Sequence, residues 1–233
     1  MHSNKKTARL AGLFWLLVAV TTGFSLGYVR SKLIVSGDAA TTVSNIIAFE
    51  SLFRAAIVSA ILTQVFFLFF GLTTFRLFRG VNQTLTTVFM AAVVVATAVG
   101  AVNTMNNFGA LWVITTPDYL KVFPAEQINV IAMTFLRLNN YGIGLLELFS
   151  AISLFSLGLL IIRSGYLPRI IGVLLMIGAC AFPINSFTKI LLPQFYPALM
   201  TQLTMLLNAV GPPVAILWLL IKGVREPRLV SEN

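Results

Sequence analysis

The chain has 233 residues, of which 58% are hydrophobic and only 10% charged, and its mean hydropathy is +0.93. Soluble domains average about 25% charged and 45–50% apolar, so a water-soluble globule, a disordered tail and a nucleic-acid binder are all poor fits. The net charge of +9 arises from sixteen Lys and Arg that gather at the ends of apolar runs, where they read as topological anchors rather than as a phosphate-binding surface.

Apolar runs near or above twenty residues recur about six times, each long enough to cross roughly 30 Å of hydrocarbon as a helix. The expected fold is therefore all-α: an integral membrane helical bundle of six transmembrane helices plus two short outer amphipathic helices, a single membrane domain over residues 1–233. The first span covers about Leu10 to Val29 behind Lys5, Lys6 and Arg9. It is expected to be retained, because no clear small-x-small cleavage site follows Thr21. Gly23 and Gly27 form a GxxxG pair, read as a face for close helix packing within the monomer.

Ser36-Gly37-Asp38 reads as a turn ending in a helix N-cap, and Ala39 to Phe49 as the first outer amphipathic helix. The second span follows from about Leu52 to Phe75, then a basic turn at Arg76 and Arg79. The third runs from about Leu85 to Trp112. Pro117-Asp118 and Pro124 bound a loop, Ala125 to Leu136 is the second amphipathic stretch, and the fourth span covers about Asn139 to Ile162. A second basic turn, Arg163 to Arg169, leads to the fifth span, about Ile170 to Phe187. Pro193 and Pro197 mark a loop before the sixth, about Leu199 to Ile221.

Ten basic residues fall on the side of the two termini and the two basic turns. Six fall on the other: Arg30, Lys32, Arg54, Lys121, Arg137 and Lys189. Both termini are thus expected in the cytoplasm. The threading also carries a faint internal repeat, 39–107 against 125–189, with Phe70-Gly71-Leu72 and Arg76 matched by Leu157-Gly158-Leu159 and Arg163.

Polar residues within the spans concentrate in the outer half. Lipid satisfies neither an amide nor a charge, so Gln64, Asn103, Asn106, Asn107, Glu147, Asn185, Thr201, Gln202, Thr204 and Asn208, with Arg54, Arg137 and Lys189 at the rim, are expected to face one another or water. Gln64, Asn103, Asn107, Asn140, Glu147, Asn185 and Asn208, with Arg54 and Arg137, are the candidate ligand-binding residues of a polar cavity open to the outside, with ordinary interhelical hydrogen bonding as the other reading. Arg54 is the expected partner of Glu147, ahead of Arg137 and Lys189. Pro183 and Gly211-Pro212-Pro213 read as bends in the last two spans.

Several chemistries lack their residues. The lone cysteine is Cys180 and the lone histidine is His2, on the polar N-terminus. No cofactor is expected: neither haem, zinc and di-iron sites nor Ser-His and Cys-His nucleophile pairs have an imidazole to use. No Asp lies within a span, which excludes aspartyl intramembrane proteolysis, and Glu147 alone is a weak catalytic site.

Ala8-Arg-Leu-Ala-Gly-Leu13, Tyr28-Val-Arg-Ser-Lys-Leu33, Gly37-Asp38, Glu50-Ser-Leu-Phe-Arg54, Tyr141-Gly142, Arg163-Ser-Gly-Tyr-Leu-Pro-Arg169 with Gly172, and Leu217-Trp-Leu-Leu-Ile-Lys-Gly223 occur in order. Together they resemble the bacterial membrane proteins grouped as domain of unknown function 4386. The resemblance implies a multi-pass protein of the bacterial cytoplasmic membrane and supplies no activity. Where the family pattern often carries an Asp, a His and a Glu, this chain has Ala60, Asn140 and Pro212, which weighs further against catalysis. The reading that remains is a binding or accessory membrane protein whose partners are membrane lipids and a small-molecule ligand, a lipid or small amphiphile, with no nucleic acid. A small secondary transporter or channel is the alternative, and a membrane-embedded enzyme comes last.

Overall fold

The computed structural model describes residues 2–115, 122–191, 202, 204 and 206–224. Among them the chain is helical throughout, without a strand. The first apolar run is a continuous helical rod made of α1 (His2–Thr22), a π-helical segment (Gly23–Val29) and α2 (Arg30–Leu33). There follow α3 (Ala39–Ala48), α4 (Glu50–Phe78), α5 (Gln83–Thr115), α6 (Ala125–Ser164), α7 (Arg169–Leu191) and α8 (Gly211–Ile221). Five stretches are long and apolar enough to cross a membrane: Asn4–Leu33, Glu50–Phe78, Gln83–Thr115, Ala125–Ser164 and Arg169–Leu191. The first five expected spans lie within them. The sixth is represented by the shorter apolar helical stretch Leu206–Ile221. Its expected start at Leu199 and the expected loops at Pro117-Asp118 and Pro193 to Pro197 fall outside the described residues.

Two local expectations are corrected. Ala125 to Leu136 does not form a helix of its own but opens the forty-residue α6. Nothing between Leu136 and Asn139 can stop a helix, since Arg137 and Leu138 are both good helix formers, and the buried Ala132, Leu136 and Asn139 run along one face across the supposed break. The GxxxG pair is not a packing face among the described residues, of which none would lie within 4 Å of a Cβ on Gly23 or Gly27. Both glycines lie instead inside the π-helical segment, whose wider turns spread the buried Ser25, Val29 and Leu33 at four-residue spacing.

The residues form two compact units. One holds the chain up to Leu16, Phe67–Ala96 and the chain from Leu145 onward; the other holds Leu17–Phe66 and Thr97–Gly144. Glycine notches bring the helices of the first unit together. Gly158 of α6 and Gly172 of α7 lie so close that a Cβ on either would come within 2.6 Å of the other's carbonyl oxygen. Gly71 of α4 takes Val93 of α5 in the same way, and Gly12 of α1 takes Leu219 of α8. Without apolar solvation to gain between helices in lipid, such close backbone approach and its dispersion contacts are what hold them. An aromatic cluster adds to this, with Trp15 and Phe70 at 4.7 Å and Phe89 edge-on to Phe70 at 6.1 Å. The basic turn between α6 and α7 closes through Gly165 at φ +66° and inserts Leu167 into the core, with Tyr166 tilted against Phe78.

The second unit is built on α3 and the segments around it. Gly37, at φ +82°, turns the chain, and Asp38 caps α3 by accepting from the Thr41 N–H at 2.9 Å and from the Thr41 hydroxyl at 2.6 Å. These donors hold the Asp38 carboxyl below its ordinary range. Because the folded value is depressed, the cap's contribution is present above that ordinary value and is lost as pH falls through the folded one. One face of α3 buries Thr42, Val43 and Ile46. Ile46 packs in a cluster with Val29, Leu33, Phe53, Ile57, Ala110, Leu111 and Leu136, and Val43 in another with Val113 and Ala132.

Candidate functional site

Within the second unit, α5 and α6 are fastened by a reciprocal pair of carboxamides. Asn103 Nδ2 donates to the Asn139 carbonyl at 2.9 Å, and Asn139 Nδ2 donates to the Asn103 carbonyl at 3.2 Å. Both side chains are buried. The approach depends on Gly142, one turn beyond Asn139, where any Cβ would collide with the Asn103 carboxamide. Asn106 Nδ2 then donates to Asn103 Oδ1 at 3.0 Å. With its nitrogen committed, Asn139 presents Oδ1 to the first helical rod, and Arg30 Nη1 donates to it at 3.4 Å.

Arg30 reaches this position because the π-helical segment ends on it: its N–H bonds the Ser25 carbonyl five residues back. The rod is pinned just before that segment, where Ser59 donates to the Thr21 carbonyl at 3.0 Å and Thr63 to the Thr21 hydroxyl at 2.8 Å. The Arg30 guanidinium thus borders a pocket of about 30 Å³ whose other walls are Ser25, Leu26, Val29, Leu33 and Ile34 of the rod, Phe53, Ala56, Ile57 and Ala60 of α4, Asn107 of α5 and Asn139 of α6. Among the described residues no carboxylate pairs with Arg30; the ion pair seen there is Arg54 with Glu50, at 2.6 Å and exposed.

The expected site residues divide accordingly. Asn103 and Asn107 meet at this cluster, Asn103 in the interhelical bond and Asn107 on the pocket wall. Asn140 is half-buried beside Asn139. Gln64 is buried in the same unit, its amide lodged where Gly100 has no side chain and its Oε1 without a partner among the described residues. Arg137 is exposed on α6. Arg54, the expected partner of Glu147, pairs instead with Glu50 one turn back on α4. Glu147, Asn185 and Asn208 belong to the first unit. There the charge of Lys189 bears on Glu147, and Asn208 Nδ2 donates to the carbonyls of Gly178 and Thr204.

Arg30 and Asn139 stood outside the expected set, while Asn106 was expected among the polar residues that meet within the spans but not as a ligand-binding one. Arg30 counted only as a rim anchor, and a charge at the end of an apolar run looks the same whether it snorkels outward or turns inward. Asn139 did carry a signal: Gly142 stands one turn away on the same helix face, the spacing that lets a carboxamide from a neighbouring helix approach. The first unit also holds an apolar groove of about 600 Å³ between α6 and α7, lined by Phe155, Met176, Cys180 and Ile184 among others, and among the described residues Thr204 is the polar one and none is charged.

Fold and site together define a helical membrane protein with several membrane-spanning helices and a half-buried cation beside carboxamides. The chain belongs to the family Domain of unknown function (DUF4386), whose model matches residues 10–223. No curated protein and no solved structure matches it.

Proposed function

We propose that the protein is a binding or accessory protein of the bacterial cytoplasmic membrane that holds a lipid or small amphiphile in a polar cavity open to the outside, with both termini in the cytoplasm. The observation that carries the reading is the Arg30 pocket. A guanidinium has five N–H donors, and this one meets a single carboxamide oxygen at 3.4 Å. Arg30 is half-buried, and the N–H donors it has left over at the pocket wall are open to an anion from elsewhere. The apolar walls beside it suit the other end of an amphiphile. The ten-to-six partition of basic residues supports the orientation.

Native mass spectrometry of the detergent-purified protein tests the reading directly. A stoichiometric adduct of lipid or amphiphile mass is expected on the wild-type chain. Bare protein in every mild detergent tried would remove the reading.

One observation favours the alternative of a small transporter. A turn at residues 209–210 interrupts the apolar stretch before Gly211-Pro212-Pro213. The two proline rings withhold the N–H groups that would close on the carbonyls of Asn208 and Ala209. Interrupted helices of this kind line transporter sites. A cysteine at Asn208 that reacts with impermeant reagent from both sides of the membrane would favour it; reaction from one side only would not.

A further inference from the structure

We propose that the Arg30 pocket is a carboxylate site: it takes the head of a single-chain carboxylate amphiphile of the fatty-acid class, whose hydrocarbon chain stays at the pocket mouth. The proposal rests on the amphiphile-binding reading above and names its ligand class.

Charge comes first. Asn139 is the group that meets Arg30, and it is neutral. Its Nδ2 is already held by the Asn103 carbonyl, so it cannot turn to offer more than Oδ1. Asn107 adds a second neutral amide to the wall. Neither discharges the guanidinium, and among the described residues Glu50 is paired with Arg54 and no carboxylate pairs with Arg30. A ligand carboxylate can supply the counter-charge. In a pocket walled by Val29, Leu33, Phe53 and Ile57, a fork-on-carboxylate pairing is far stronger than it is in water.

Size decides the kind of anion. About 10–15 Å³ of such space holds one water-sized group, so a pocket of about 30 Å³ admits roughly two. Two is the number of oxygens in a carboxylate. A phosphodiester head carries four oxygens and two ester carbons, and does not fit. Shape then decides between a free acid and an amphiphile. Leu26 lines the pocket yet is 38% exposed, which marks it as the mouth. An apolar mouth on a helix read as crossing the membrane favours a ligand with its own hydrocarbon and gives acetate nothing to hold.

The test is a titration of the delipidated protein in a non-ionic detergent, read by thermal shift and by calorimetry, with dodecanoate, acetate, dodecyl phosphate and dodecyltrimethylammonium as probes. Saturable one-to-one binding of dodecanoate is expected, with acetate and dodecyl phosphate at least tenfold weaker and no binding of the ammonium. Arg30→Gln should weaken dodecanoate at least tenfold. Ala60→Asp places a carboxylate on the wall of the same pocket, so it should abolish dodecanoate binding while leaving the melting temperature unchanged or raised, since it supplies the missing counter-ion from within. Ala60→Asp therefore remains informative where Arg30→Gln fails to fold. Dodecyl phosphate binding as tightly as dodecanoate would overturn the carboxylate assignment. So would dodecanoate binding that survives both variants. If native mass spectrometry still shows a lipid on Arg30→Gln, the site fails and the broader reading stands; if no amphiphile is retained by the wild type and none of the probes binds, both fail.

Discussion

At the scale of single residues, the decisive feature is how few partners the buried polar groups have. Asn103 and Asn139 each donate to the other's main-chain carbonyl, so either bond holds the two helices at the distance the other needs. Interhelical hydrogen bonds in membrane proteins average about 0.6 kcal/mol and reach about 1.7. Each carboxamide here also serves a further neighbour, Asn106 or Arg30. Asn103→Ala and Asn139→Ala should each cost on the order of 1–2 kcal/mol in reversible unfolding, and the double variant should lose less than their sum by roughly 0.5 kcal/mol or more. Strict additivity would show that the two bonds do not share their geometry. Part of this cluster was legible beforehand, because an Asn within a span has to find a polar neighbour, and that singled out Asn103, Asn106 and Asn107. Arg30 was not. What turns it inward is the π-helical segment, and no residue type marks such a segment as glycine marks a tight turn.

At the scale of elements, glycines separate into those that position helices and those that do not, and motif spacing does not tell them apart. Gly158 appeared only as one member of a faint repeat, yet it touches the main chain of α7 through Gly172. Gly23 and Gly27 had the better-known pattern and face open space. Contact rather than pattern should govern the cost of a methyl group. Gly158→Ala meets a carbonyl oxygen, which cannot swing aside as a side chain can, so α6 and α7 must separate; a loss of about 1–3 kcal/mol is expected. Gly27→Ala meets nothing and should stay within about 0.5 kcal/mol of wild type. Thermal unfolding of the two variants side by side decides the matter, and equal tolerance would mean that the close crossing at Gly158 does not hold the helices. The same contrast explains α6. Amphipathic spacing from Ala125 to Leu136 says which face is buried but not where a helix stops, and stopping takes a Gly, a Pro or a cap that residues 136–139 lack.

For the whole molecule, hydropathy was sufficient to find the five long apolar helices, because burying twenty apolar residues in lipid is a large and local signal. The two compact units left no such trace, since each is assembled from segments far apart in the chain. Orientation rests on charge alone. Among the basic residues, Arg76, Arg79, Arg163 and Arg169 lie in or beside the two tight turns, while the opposite side also bears Asp38, Glu50, Asp118 and Glu126. Short basic loops resist transfer across the membrane, whereas acidic residues contribute little to the choice, so the Arg turns should remain cytoplasmic. The long α6 offers a test at both of its ends, because Glu126 and Arg163 are exposed. With Cys180 replaced by Ser, single cysteines at Glu126 and Arg163 should behave oppositely in intact cells. An impermeant maleimide should label the first and miss the second, and permeabilisation should render both reactive. Labelling of the Arg163 cysteine alone in intact cells would reverse the orientation and place the Arg30 pocket on the cytoplasmic side, where any carboxylate amphiphile it holds would have to come from the inner leaflet.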